Sequence, residues 1–304
     1  GTTVPARDLV VVHHPLQPFD PRNFAPGALG RRQAWSFDGL TLDGARSLTG
    51  PRLPRPPFLA GPLPPAPPAA VVALDDLVRF VQHPVRAFLR TRLGVSLADF
   101  TEELGEAIPV ELDGLGRWAV GERVLAARLA GAHPDACEAA ERARGDLPPG
   151  ELAAPALAEI RDAVDRLVDA AHRAVGGAGT AAGGVPSGAS DADSVEVAIP
   201  LGGGRLVVGS VAGILGDVAR SVTYSRLAAR HRLVAWVRFL ALGAAGGGGG
   251  FRAVTIGRDT DHRVRVSTFA PLDGDPHTAA ELARGHLADL VDLYDRGMRE
   301  PLPL

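Results

Sequence analysis

At 304 residues with 46% hydrophobic content, the chain is long enough to bury one large core and carry an appendage. All 32 basic residues are arginine, as in a composition rich in Arg, Ala, Gly and Pro, and the absence of lysine excludes a phosphate-loop lysine, a Schiff-base lysine and a nuclease lysine. A single cysteine, Cys137, excludes an internal disulfide and a cysteine-cluster zinc site and suits a reducing cytoplasm, while no signal peptide is visible and no apolar run reaches membrane-spanning length.

The chain opens Gly1-Thr2-Thr3 without methionine, which, with its extended start, reads as a fragment of a longer protein. Leu9–Val12 is a short apolar run that suits a strand. Residues 1–70 as a whole read as an extended connector, because nine of the eighteen residues from Pro51 to Pro68 are proline, which removes backbone donors and favours polyproline II geometry. Phe19, Phe24, Trp35, Phe37 and Phe58 punctuate it and are expected to pin it to a neighbouring surface.

The folded domain is expected over residues 71–304, beginning with a helical part, 71–175. Leu77, Phe80 and Val81 lie on one helical face that Asp75 would cap, and Pro84 restarts a second helix ending at Gly94. Further helices are predicted around Leu115–Leu129, Cys137–Arg144 and Pro155–Val175. Residues 176–190 read as a flexible Gly/Ala/Ser-rich loop. A sheet with flanking helices follows over 194–304: strands at Ser194–Pro200, Arg205–Ala212 and Val218–Tyr224, a helix carrying Trp236 and Phe239, a glycine tip at Gly246–Gly250, strands at Ala253–Gly257 and His262–Phe269, and a closing helix, Thr278–Arg299. That order is α/β.

Charge is unevenly spread. Residues 195–270 carry ten Arg against four acids, +6, whereas residues 71–175 carry twelve against eighteen, −6. Arg220, Arg226, Arg230, Arg232 and Arg238 crowd one strand-to-helix segment, followed by Arg252, Arg258, Arg263 and Arg265. Such a cluster fits salt-sensitive contact with DNA phosphates; the alternative is a solvated helix face that pairs with the acidic helices. The acidic half is a candidate partner surface.

Metal and nucleotide chemistry finds little support. The nine histidines show no H-x-x-x-H or H-E-x-x-H spacing, and Gly202-Gly203-Gly204-Arg205 is a turn rather than a phosphate loop. Asp259-Thr260-Asp261-His262 and Asp273-Gly274-Asp275-Pro276-His277 fall where Asp and Gly make turns. No cofactor is expected.

Three segments carry a family resemblance. The run Leu206–Leu242 (LVVGSVAGILGDVARSVTYSRLAARHRLVAWVRFLAL) is similar to the strand–strand–helix frame of PD-(D/E)xK nucleases, which place an aspartate and then an acid-x-lysine pair where Ala212, Thr223 and Ser225 stand here. His14–Phe24 (HPLQPFDPRNF), LDDLVRFVQHPVRAFLRTRLGV and ELDGLGRWAVGERVLAARLAG resemble RecC, the gamma subunit of exodeoxyribonuclease V (RecBCD). The resemblance implies a PD-(D/E)xK nuclease-like α/β core that no longer cleaves, preceded by a helical part and a connector from a missing helicase-like region. It also implies DNA and RecB-like and RecD-like subunits as partners, and a place near the point where DNA strands separate. His83, before Pro84, stands where some related nucleases have a cluster-binding cysteine, and Cys137 alone builds no iron–sulfur site. Two other readings stay open: an active nuclease with migrated ligands, for which Glu122 and Asp217 are the available carboxylates, and an interaction module that never touches nucleic acid.

Overall fold

The computed structural model describes residues 5–30, 32–52, 54–65, 70–96, 110–176, 193–246, 250–260 and 263–302. Apart from Gly176, the expected flexible loop lies outside the described residues, as do most of the glycine tip and Asp261-His262. The chain divides into two compact units, Gly1–Ala60 and Gly61–Leu304.

The first unit is less extended than its composition predicts. Helix α1 (Ala6–Val10) stands where the sequence suggests a strand, with Val11 N–H donating to the Arg7 carbonyl at 2.8 Å. A strand needs a neighbour to satisfy its backbone, and the unit has none among the described residues, so the peptide groups pair locally instead. Helix α2 (Gly39–Thr49) interrupts the connector, capped by Asp38, whose side chain accepts from Leu40 N and Thr41 N. The His14–Phe24 motif closes on Asn23, which is 8% exposed. Asn23 Nδ2 donates to the carbonyls of Gln17 and Pro18, both at 3.2 Å, and its carbonyl accepts from Trp35 N at 2.9 Å and Ser36 N at 3.0 Å. Trp35 meets His14 edge-on at 4.4 Å, but Phe37 and Phe58 are 85% and 70% exposed and pin nothing.

In the second unit the elements run β1 (Val71–Ala73), α3 (Leu74–Gln82), α4 (Pro84–Ala87) with a π turn at Phe88–Arg92, α5 (Gly114–Leu129), α6 (Pro134–Arg144), α7 (Ala154–Gly176), β2 (Asp193–Leu201), β3 (Arg205–Leu215), β4 (Val218–Arg226), α8 (Ala229–Ala244), β5 (Arg252–Arg258), β6 (Val264–Phe269) and α9 (Pro276–Gly297). Asp75 lies in the first turn of α3; Ala73 holds the N-cap position, with no side-chain bond. Proline at the first turn and an upstream acceptor start α9, where Asp275 accepts from His277 N at 3.0 Å and Thr278 N at 3.2 Å.

The strands form one mixed, six-stranded sheet. β2 pairs antiparallel along β3, from Leu201↔Arg205 to Asp193↔Ile214. The other edge of β3 is shared: β1 pairs parallel with Leu206–Val208, and β4 pairs antiparallel only at Ile214↔Ala219 and Leu215↔Val218. β4 then pairs parallel with β5, and β5 antiparallel with β6. Beyond its first two residues, β4 thus has an edge with no strand partner among the described residues. Gly213, at φ +84°, allows the divergence: a β-carbon there would run into the Arg220 carbonyl.

Alternation sorts the strand side chains into two cores. Val197, Ile199, Val207, Val211, Ala219 and Ala253 join one core with α3, α8 and α9. Val218, Tyr224, Val254 and Ile256 join the other with α5, α6 and α7. Ala253 through Gly257 are buried without a break, as expected of a strand covered on both faces.

Candidate functional site: the open edge of strand β4 and the arginines beyond it

Helix α5 fills the space beside the unpaired edge of β4. Glu122 reaches across, one carboxylate oxygen accepting from Thr223 Oγ1 at 2.8 Å and the other from Tyr224 N at 2.6 Å. Trp118 Nε1 donates to Ser225 Oγ at 2.8 Å, and Ser225 N donates to Thr223 Oγ1 at 3.1 Å. The backbone donor that a neighbouring strand would have satisfied is satisfied by a helix side chain instead.

Gly121 makes this approach possible. A β-carbon there would lie 2.6 Å from Tyr224 Cζ and nearer still to two other ring atoms. Tyr224 is 1% exposed. Arg258 covers its ring at 3.9 Å from the centroid and donates from Nε to its carbonyl. Burial pushes the Tyr224 hydroxyl above its ordinary pKa.

Of the three positions singled out in sequence, Thr223 and Ser225 come together at this seam. Ala212 does not join them: it is exposed on β3, pairs with Ser194, and precedes the short stretch where β3 meets β4. Asp217 sits in the β3–β4 turn with a carboxylate oxygen 3.8 Å from Arg252 Nε. A divalent cation fits these residues poorly, because both Glu122 oxygens are engaged by protein donors and its neighbours are hydroxyls and an indole. Among the described residues, no group of three or more His, Cys, Asp and Glu is arranged to hold a metal. The sequence singles out Glu122 as an available carboxylate but not Trp118 or Gly121. The signal available was G-x-G-x-W-x-x-G-E, in which Trp118, Gly121 and Glu122 fall at i, i+3 and i+4 on one helical face.

Positive charge is divided just as sharply. On helices α5 and α6 the arginines are paired, Arg117 with Glu159, Arg123 with Glu141, Arg128 with Asp165 and Arg142 with Glu138, and on α7 Arg161 pairs with Asp135. Among the described residues, none of Arg220, Arg226, Arg230, Arg232 and Arg238 has an acidic partner within ion-pair distance, although Arg252 and Arg265 meet Asp217 and Asp259. Arg226, Arg230 and Arg232 are exposed, and Arg238 and Arg220 are half-buried. Burial lowers the Arg220 pKa. Arg230 Nε touches His231 Nε2 at 3.4 Å, and His231 Nδ1 accepts from Ala228 N at 3.0 Å at the start of α8.

Fold and site define a mixed α/β domain in which a helix seals one strand edge and unpaired arginines gather on the adjoining strand and helix. A family model described as the RecC C-terminal domain matches residues 69–304. The chain belongs to the RecC family. It is 40% identical to the RecBCD enzyme subunit RecC of Mycobacterium tuberculosis over 304 residues, all of this chain and 26% of that protein. Against the RecC of Mycolicibacterium smegmatis it is 40% identical over 295 residues, 97% of this chain and 25% of the relative. The RecC of Escherichia coli is 28% identical over 294 residues, 95% of this chain and 22% of the relative. The chain thus spans about a quarter of the length of the curated relatives it matches. No helix among the described residues is long and apolar enough to cross a membrane.

Proposed function

We propose that this chain is a non-catalytic, DNA-handling and scaffolding domain of a RecC subunit. In this reading it works with RecB-like and RecD-like partners in a cytoplasmic helicase–nuclease complex that processes double-strand breaks for recombinational repair. Its core descends from a PD-(D/E)xK nuclease. The order β2, β3, β4, α8, β5, with a parallel β4–β5 pair, supports that descent.

The observation that carries the loss of catalysis is the sealed seam. Where the nuclease reading requires an acid and a lysine, Thr223 and Ser225 are spent on Glu122 and Trp118. A phosphodiesterase needs carboxylates free to neutralise charge around a scissile phosphate, and here Glu122, the carboxylate at the seam, is a structural acceptor. DNA contact is assigned to Arg220, Arg226, Arg230, Arg232 and Arg238, because guanidinium groups without acidic partners gain most from a phosphate.

The test uses the intact subunit. With Mg²⁺ or Mn²⁺ it leaves linear DNA uncut, and it binds forked DNA with an affinity that falls steeply as salt rises. Degradation that disappears in Glu122→Ala or Asp217→Ala would establish an active nuclease instead. A flat response at low salt would establish an interaction module that does not handle DNA.

A further inference from the structure

A second basic feature lies on the opposite core from the β4 seam. Helices α3 and α4 meet at His83 and Pro84, where α3 ends and proline restarts the chain in a new direction. Together with Tyr294 of α9 they surround a cavity of about 260 Å³. His83, Arg86, Ala87, Arg90 and Thr91 line it from one side, at i, i+3, i+4, i+7 and i+8. The stripe runs on into the π turn at Phe88–Arg92, which carries Arg90 and Thr91 to the same cavity. Phe88, 0% exposed, anchors the turn from behind. Arg92 points elsewhere, its Nη2 donating to the Pro64 carbonyl at 2.7 Å.

The cavity is cationic. Its one carboxylate, Asp76, is 2.8 Å from Arg79 and is thereby neutralised. Arg86 and Arg90 are exposed and have no acidic partner among the described residues. They are four residues apart on a helix, a rise of about 6 Å, which matches the scale on which phosphates succeed one another along an extended strand. The rim offers Gln82 and Thr91 as polar groups and only the half-buried Tyr294 as a large apolar one. An acidic protein segment needs apolar anchors to dock tightly, and this rim has few.

We propose that this cavity is a phosphate pocket for a single DNA strand, in which Arg86 and Arg90 hold two successive phosphates. The proposal rests on the DNA-handling reading but concerns residues separate from the β4–α8 arginines. The experiment measures binding of a fluorescein-labelled oligothymidylate of about 16 nucleotides to the intact protein, with the subunits that purify with it, by anisotropy across a salt series. Arg86→Gln with Arg90→Gln is expected to weaken strand binding about tenfold at moderate salt and to flatten the slope of log K against log salt by about 1.4, two phosphates at 0.7 each. Arg86→Lys with Arg90→Lys retains most of that slope, which separates lost charge from lost fold. Arg142→Gln, on a residue already paired with Glu138, leaves binding unchanged.

Unchanged strand binding in the double glutamine variant, with weakened binding in Arg230→Gln plus Arg232→Gln, would overturn the pocket and leave the DNA-handling reading standing. Equal weakening by Arg142→Gln would overturn the pocket as mere loss of net charge. Release of a partner subunit at unaltered strand affinity would identify a protein-docking site instead. An intact protein that binds no strand at low salt would overturn both readings.

Discussion

Substituting Gly121 by alanine sets two opposed effects against each other. In an exposed helix interior the change is favourable by about 1 kcal/mol, since alanine loses less backbone entropy. At Gly121 the new methyl group would meet three atoms of the Tyr224 ring, the farthest at 2.6 Å, where ordinary contact is about 3.5–4.0 Å. Tyr224 cannot withdraw: it is 1% exposed, capped on its ring by Arg258, and its amide is held by Glu122. Relief therefore requires α5 to retreat by about 1 Å, which stretches the Glu122 and Trp118 hydrogen bonds. Overpacking costs about 1–3 kcal/mol and each weakened bond about 1 kcal/mol. With the Glu122 and Trp118 contacts both loosened and the propensity gain subtracted, a net loss of about 2–4 kcal/mol remains, or a fall of roughly 4–16 °C in melting temperature for a domain of this size. Gly285, exposed in α9 with no atom within 4 Å of a new β-carbon, supplies the control. Gly285→Ala should raise the melting temperature by about 2 °C. Calorimetry on the two variants checks the pair, and a Gly121→Ala protein as stable as its parent would refute the close packing inferred for the seam.

Three other outcomes follow from the described contacts. Arg123→Met leaves Glu141, 5% exposed, without its bidentate partner and with only Arg144 at 3.9 Å; it should cost about 2–3 kcal/mol by urea unfolding, and adding Glu141→Met should restore most of that loss. Glu122→Gln keeps one acceptor oxygen where two are used, so the loss is about 1–2 kcal/mol, and a double-mutant cycle with Thr223→Val should give clear coupling; additive effects would count against the seam. Burial, helped by Arg230, lowers the His231 pKa below its usual value. The neutral ring accepts from Ala228 N, so its contribution is present above the unfolded pKa of about 6.5 and lost as pH falls through the folded one. Amide exchange at Ala228 should therefore accelerate on acidification, and an imidazole titration midpoint at or above 6.5 by NMR would contradict this.

The long amphipathic elements were the legible part of the fold. Helix α7 and helix α9 carry enough apolar repeats to fix period and face, and glycine turns at Gly202–Gly204 and Gly216 separate β2, β3 and β4. The errors fall where local signals are too short to compete with tertiary partners. β1 is three residues whose strand character comes from pairing with Leu206–Val208, and nothing in Val71–Ala73 alone distinguishes it from a helix start. Leu9–Val12 fails in the other direction, an apolar run without a sheet to join. α2 was hidden because the prolines on its C-terminal side dominate the composition, although Asp38 followed by Thr41 is a readable cap. At the candidate site, Glu122 was accessible to reasoning from residue type. Its engagement with Thr223 and Tyr224 depends on β4 parting from β3, a sheet-level event that no window of sequence contains.

Strand β5 has a consequence for how the second unit loses its structure. Val254 and Ile256 face one core while Ala253 faces the other, so the two hydrophobic clusters share a single party wall one residue thick. Neither cluster can dissolve without exposing the back of the wall that supports its neighbour. Melting should therefore be communal, with near-ultraviolet signals from Trp236 on one side and Tyr224 on the other disappearing together. A ligand that tightens either face is thus felt across the strand by the other.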